Sequence, residues 1–192
     1  MKMRKYEFQL RSLLEIADKI NLNSNSSMVE VGCYRGESTS MWASFNGTVY
    51  AVDSWRKGTA FNICDPKGLW QRLKSSYRQI SIKDLLCINY KVEKDFDLIA
   101  EQYDNIKKIK LNSKEASDIF GKESVDFVYL DAMHDYDNVK ADIKTWLPKI
   151  VNDGWIGGHD YHQSWPGVIE AVDEKFGKPD YLFEDTSWLK KL

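Results

Sequence analysis

The chain has 192 residues, 43% of them apolar and 13% aromatic. That length suits one domain with a continuous core, and so much large apolar surface excludes a disordered or fibrous chain. The 27 Lys and Arg against 29 Asp and Glu leave a formal charge of −2, without the basic excess that gripping a nucleic-acid backbone needs.

Three cysteines, Cys33, Cys64 and Cys87, form no Cys-x-x-Cys pair. A zinc site or disulfide framework is therefore not expected, and free thiols suit a reducing cytosol. The N-terminus is basic, but no apolar run of signal-peptide length follows, and no stretch is long enough to cross a membrane. A cytoplasmic monomer or homodimer is expected.

In chain order, Tyr6, Leu10, Leu13, Leu14, Ala17 and Ile20 recur at helical spacing and predict an amphipathic helix within residues 1–21. Met28–Val31 predicts a short strand followed by a glycine-bearing turn. Glu37–Phe45 predicts a helix closed by Asn46-Gly47, and Thr48–Val52 a β-branched second strand ending at Asp53. Residues 54–105 exceed what a simple crossover needs, with helical pieces expected near Leu69–Ile80 and Phe96–Tyr103. Trp55, Arg56, Lys57, Phe61, Trp70, Arg72, Tyr77 and Arg78 give this segment aromatic and basic character. The segment reads as a substrate-choosing lid over the sheet's carboxyl edge; each of those side chains taken singly could equally be core or solvated cover.

Lys108–Leu111 predicts a third strand, with Lys107, Lys108 and Lys110 on a solvated edge. Lys114–Phe120 predicts a short helix and Val125–Leu130 a strongly apolar fourth strand. Val139, Ile143, Trp146, Leu147 and Ile150 mark one stripe of the next helix, and Trp155-Ile156 begins a fifth strand. Pro166 suits the first turn of a helix carrying Val168, Ile169, Val172 and Phe176, and Tyr181–Leu192 one or two closing strands. The alternation predicts an α/β class: a single domain over 1–192 with a doubly wound, Rossmann-like, mainly parallel sheet, an antiparallel closing strand and helices on both faces.

In such sheets the ligand lies beyond the carboxyl ends of the strands. Gly32 lets the first turn come close to a ligand where a Cβ would collide. Gly36 leaves the start of the next helix open to an anionic group. Asp53 can accept hydrogen bonds from both ribose hydroxyls. These residues could form a purely structural turn with Asp53 as a helix cap; together they point to a nucleoside ligand. A nicotinamide dinucleotide wants a glycine two residues after the first, where Tyr34 stands.

The run Val29-Glu-Val-Gly-Cys-Tyr-Arg-Gly-Glu-Ser-Thr39 resembles motif I of class I S-adenosylmethionine-dependent methyltransferases. It is similar to the small single-domain branch, the methyltransferase domain family 24, whose motif reads Glu-x-Gly-x-x-x-Gly-x-Ser-Thr. The likeness continues through Asp131-Ala-Met-His134-Asp-Tyr136, Val139, Asp142, Trp146, Gly157-Gly158-His159-Asp160-Tyr161, Gly167-Val168, Ala171-Val172 and Trp188. It covers roughly residues 28–190 apart from 54–105. The resemblance implies S-adenosylmethionine as cofactor, with Glu30 holding its amino group, often through water, and Asp53 its ribose. Asn112 and Ser113 would lie beside the adenine, Asp131 near the methionine end, and Gly32, Cys33, Tyr34, Gly36, Ser38 and Ser54 along the remainder. Many relatives carry an acid in place of Asn112, whose amide oxygen can still accept a hydrogen bond.

The fourth and fifth strands deliver Asp131, His134, His159 and Asp160 to the same edge. Histidine titrates near neutral pH, so His134 and His159, with Asp131, are the candidate catalytic groups; the structural alternative is that they only tie loops together. His162 reads as ordinary loop. Asp131, His134 and Asp160 also form a candidate metal set for Mg²⁺ or Mn²⁺. Relatives resembling catechol O-methyltransferase place acids at these two strand ends, but this chain has His159-Asp160 where they carry Asp-Asn. The function expected is methyl transfer to a small-molecule acceptor, a hydroxyl on a saccharide or other metabolite, with no nucleic-acid or membrane partner. The alternatives are a nicotinamide-dependent oxidoreductase and a non-catalytic S-adenosylmethionine-binding module.

Overall fold

The computed structural model describes residues 5–45, 47–56 and 92–192. The expected helix near Leu69–Ile80 lies outside the described residues, as do Lys57, Phe61, Trp70, Arg72, Tyr77 and Arg78 of the expected lid.

Five apolar segments form the parallel body of one sheet: β1 (Ser27–Val31), β2 (Thr48–Val52), β3 (Ile106–Ile109), β4 (Val125–Leu130) and β5 (Ile150–Gly158). Two short strands, β6 (Tyr181–Leu182) and β7 (Trp188–Lys191), close it in antiparallel fashion, in the order β3-β2-β1-β4-β5-β7-β6. The helices are α1 (Lys5–Lys19), α2 (Glu37–Ala43), α3 (residues 92–100), α4 (Ser113–Ser117), α5 (Tyr136–Trp146) and α6 (Pro166–Phe176). Successive strand side chains point to opposite faces, which divides the core in two. Met28, Phe127 and Tyr129 pack with Leu13, Ile16, Trp42 and Phe96 of α1–α3. Val29, Val128 and Ile156 pack with Val139, Ile143, Trp146, Val168 and Val172 of α5 and α6. A parallel sheet covered on both faces is the doubly wound arrangement.

Register fixes where the site falls. Val31 pairs with both Val52 and Leu130, and Leu130 with Gly158. Gly32, Asp53, Asp131 and His159 therefore leave the sheet level with one another. Strand order reverses between β1 and β4, the switch point at which such folds open a crevice.

Several details differ from the sequence reading: α2 ends at Ala43 rather than Phe45, and the helix expected at Phe96–Tyr103 spans residues 92–100. On α1, Leu13, Ile16 and Ala17 are buried, while Leu10 and Leu14 flank the stripe and are about half exposed. β3 starts earlier, because pairing with Val49–Val52 selects Ile106–Ile109. Helix α4 ends at Ser117 rather than Phe120. Ile150 is not helical: Pro148 confines Leu147–Lys149 to a 3-10 turn, and Ile150 opens β5. Of the edge lysines, Lys107 and Lys110 are exposed as expected, and Lys108 is half-buried. Lys108 Nζ lies 2.9 Å from Glu93 and 2.5 Å from Asp97, and 4.7 Å over the Trp55 ring, tying α3 to the sheet edge. Among the described residues no helix is long and apolar enough to cross a membrane.

Candidate active site

A cleft of about 770 Å³ runs along the carboxyl ends of β1–β4. Gly32, Tyr34, Asp53, Ser54, Asn112, Ser113 and Asp131 line it, as do Trp55 and Arg56 from the expected lid. Glu30, Cys33, Gly36 and Ser38 are not part of the lining and stand behind it.

Gly32 has φ +93°, and a Cβ there would lie 2.2 Å from the Asp131 carbonyl oxygen. One close approach that this glycine permits is thus between the ends of β1 and β4, a backbone contact, and Gly32 also lines the cleft. Asp53 accepts hydrogen bonds from the backbone N–H groups of Tyr34 (3.0 Å) and Trp55 (2.8 Å). Burial raises its pKa, against those backbone bonds. Tyr34 and Trp55 both have positive φ, 49° and 41°, unusual for bulky side chains. Trp55 Nε1 donates to the Tyr34 carbonyl at 2.9 Å and its ring packs on Phe96, so Trp55 is a buried brace of the turn.

Glu30 is fully buried on β1 and accepts a hydrogen bond from the Thr39 hydroxyl, while its Oε1 has no hydrogen-bond partner. Desolvation pushes its pKa up to about 7 despite hydrogen bonds from Ser38 and Thr39. The Cys33 thiol is buried against the Glu30 and Val52 carbonyls, and burial pushes its pKa up. Gly36, at φ +87°, leaves room for the Phe96 ring, which a Cβ would meet at 3.0 Å.

At the other side of the cleft, His134 Nε2 lies 2.9 Å from Asp160 Oδ2 and 3.4 Å from Asp131 Oδ1. Its ring packs on Trp165, with centroids 4.6 Å apart. Burial alone would lower the His134 pKa, but hydrogen bonds and charge from Asp131 and Asp160 carry it up to about 9. His159 is governed the same way: burial opposes, Asp160, Asp131 and Asp185 prevail, and its pKa reaches about 9. Burial works against ionised Asp160, yet both histidines hold it below the usual carboxylate range. Both imidazoles are cations at neutral pH. Ligand atoms of Asp131, His134 and Asp160 lie within 4.8 Å of one another, a set able to hold a divalent cation. Such an ion would take the place of the His134 proton.

The two histidines are not equivalent. His134 lines the cleft, whereas His159 lies behind it, its Nδ1 3.3 Å from Asp160 and its Nε2 3.7 Å from Asp185. His162 is exposed and pairs with Ser164, as an ordinary loop residue does. Sequence reasoning missed three residues here. Asp185, in the turn before β7, carries no local pattern; Trp165 was visible only as the neighbour of Pro166; Asp142 had no role beyond its place in the resemblance.

A methyltransferase domain model matches residues 29–161. Comparison with curated proteins finds no match. Among solved structures, the O-methyltransferase NovP is similar at 18% identity and TM-score 0.60, over 95% of this chain and 77% of its own. Fibrillarin of Aeropyrum pernix, solved with natively bound S-adenosyl-L-methionine, gives 11% and 0.59 over 96% and 74%. CalS11, a TDP-rhamnose 3'-O-methyltransferase, gives 14% and 0.58 over 95% and 78%. At these identities the likeness is one of fold.

Proposed function

The chain belongs to the methyltransferase domain family and is an S-adenosylmethionine-dependent methyltransferase, and we propose that its acceptor is a hydroxyl of a small molecule, a saccharide or comparable metabolite, methylated in the cytoplasm. The nicotinamide alternative falls with the family match. The observation that carries this reading is the Asp131–His134–Asp160 cluster at the cleft wall. It is a set of hard oxygens and one imidazole suited to orienting a hydroxyl, and the imidazole can draw off its proton in the neutral form that it takes as the pH approaches about 9. The near-neutral charge of the chain and the likeness to CalS11, a TDP-rhamnose 3'-O-methyltransferase, support a small acceptor, and the likeness to the O-methyltransferase NovP supports an oxygen.

The residues present fit the cofactor. Glu30 offers a buried carboxylate oxygen without a partner, suited to the amino group, and Asp53 a carboxylate pinned at the cleft edge, suited to the ribose. Bound S-adenosylmethionine supplies an already electrophilic methyl, so alignment of the acceptor oxygen is the main demand on the protein. Asp131 and Asp160 hold the acceptor, His134 lies against it, and Trp165 keeps the His134 ring in place. The cluster also fits Mg²⁺ or Mn²⁺, which would supply Lewis acidity to the same hydroxyl.

Incubation with methyl-labelled cofactor and separate panels of sugars, nucleotide sugars, phenols and RNA tests the acceptor. Label on an oxygen of a small molecule is expected; label on RNA or on nitrogen overturns the proposal. His134→Asn should lower kcat by about 10²–10⁴-fold while S-adenosylhomocysteine affinity, read by calorimetry, stays within a fewfold. Asp53→Ala should weaken that affinity by about 1–3 kcal/mol, the cost of unpaired ribose hydroxyls; unchanged affinity would remove Asp53 from the ribose site.

A further inference from the structure

Asp185 is a buried acid outside the cleft. It stands in the turn between β6 and β7, with its side chain only 4% exposed. A carboxylate taken so far out of water needs hydrogen bonds and a cation. Its hydrogen bonds come from neutral groups: Oδ1 accepts from the Ser187 backbone N–H at 2.9 Å and Oδ2 from the Ser187 hydroxyl at 3.0 Å. Ser187 has thereby given its one proton, so Tyr129 donates to Ser187 Oγ, 2.9 Å away. Among the described residues the cation is His159, whose Nε2 lies 3.7 Å from Asp185 Oδ2.

The other nitrogen of that ring, Nδ1, lies 3.3 Å from Asp160 Oδ1, and Asp160 presents its second oxygen to His134 Nε2 at 2.9 Å. A line of side chains alternating in charge thus runs from the β6–β7 turn to the cleft wall: Asp185, His159, Asp160, His134. The backbone is tied the same way. The Tyr161 N–H donates to the Thr186 carbonyl at 3.0 Å and the His159 N–H to the Leu130 carbonyl at 3.1 Å. Between those two ties Asp160 holds a φ of +61°, a conformation that costs energy and persists where its surroundings enforce it. We infer that Asp185 is a positioning residue: through the His159 ring it fixes one oxygen of Asp160 and turns the other toward the cleft. Its effect on rate rests on the proposed function, in which Asp160 holds the acceptor; its effect on the two histidines does not.

Shaping the turn asks of Asp185 only that it accept from the Ser187 N–H, which asparagine does as well. Asp185→Asn therefore separates turn from positioning. The chain has three histidines, so NMR of protein carrying isotope-labelled histidine reads each ring. In Asp185→Asn the ring signals of His159 should move, and so should those of His134, which Asp185 does not touch, while those of exposed His162 stay. With methyl-labelled cofactor and the acceptor found in the panels above, kcat should fall about 10- to 100-fold, the usual cost of removing a partner that orients a site residue, and KM for S-adenosylmethionine should stay within about threefold. In a His159→Asn background, whose amide nitrogen can stand in for Nδ1 beside Asp160, Asp185→Asn should change kcat no further. Wild-type ring signals and kcat in Asp185→Asn, with both lost in Asp185→Ala, would confine Asp185 to the turn and overturn the inference. So would movement of the His159 signals alone, or an equal loss of kcat with and without His159. If the wild type labels no acceptor, the proposed function fails, and the ring signals alone decide the role of Asp185.

Discussion

Gly32→Ala should cost the fold more than about 3 kcal/mol and lower the thermal midpoint by on the order of 10 °C. The added Cβ would stand 2.2 Å from Asp131 O, 2.5 Å from Asp131 C and 2.7 Å from Ala132 Cα, all backbone atoms. Neither side can yield. The Gly32 N–H bonds to the Val52 carbonyl and the Asp131 N–H to the Val31 carbonyl, each at 2.8 Å, locking the strand ends together. The positive φ adds strain for any L side chain. Gly177→Ala is the control. It also has positive φ, at 76°, but nothing lies within 4 Å of its Cβ position, so about 1 kcal/mol is expected there. If both variants melt alike, the close approach is not what Gly32 is for. If Gly32→Ala folds, its S-adenosylhomocysteine affinity should fall too, because Asp131 and Asp53 share that lock.

The strands were legible where local pattern and tertiary demand agree. Thr48–Val52 and Val125–Leu130 are β-branched or apolar throughout, as strands buried on both faces must be, and both boundaries match. Ile150 misled because it continues the i, i+3, i+4 rhythm of Val139, Ile143, Trp146 and Leu147. Pro148 was the overriding signal, and the pairing of Ile150 with Val125 decides the matter. At the site, position along the sheet edge was readable, since topology alone sends Asp53, Asp131 and His159 there. The direction of each side chain was not. The pleat turns Glu30 inward to Thr39, and the loop after β5 turns His159 toward Asp185 rather than the cleft. Asp185 lies 26 residues beyond His159 in sequence and comes near only because β7 pairs with β5. No short-range pattern records such a contact.

Glu30→Gln should change stability and cofactor affinity in opposite directions. In the folded protein the Glu30 carboxyl titrates near 7 against an ordinary 4.5, so the native state holds the proton more tightly than the unfolded one. Stability from this group therefore falls as pH rises from 4.5 to 7, and the penalty is complete above 7, on the order of 3 kcal/mol. Glutamine cannot ionise. The variant should melt close to wild type at pH 4.5 to 5 and gain on it by pH 8. Binding reverses the sign. A cationic amino group near Oε1 favours the ionised carboxylate, so wild-type affinity for S-adenosylhomocysteine should rise with pH up to about 7, with release of a proton at pH 6. Glu30→Gln should bind about 10- to 100-fold more weakly at pH 8, the worth of a charged hydrogen bond, and without that pH dependence. Melts at pH 5 and 8 give the first half. Calorimetry in two buffers of different ionisation heat gives the second. A wild-type affinity flat from pH 5.5 to 8 would confine Glu30 to anchoring Thr39 and Ser38, and the amino group would then need another partner at the head of α2.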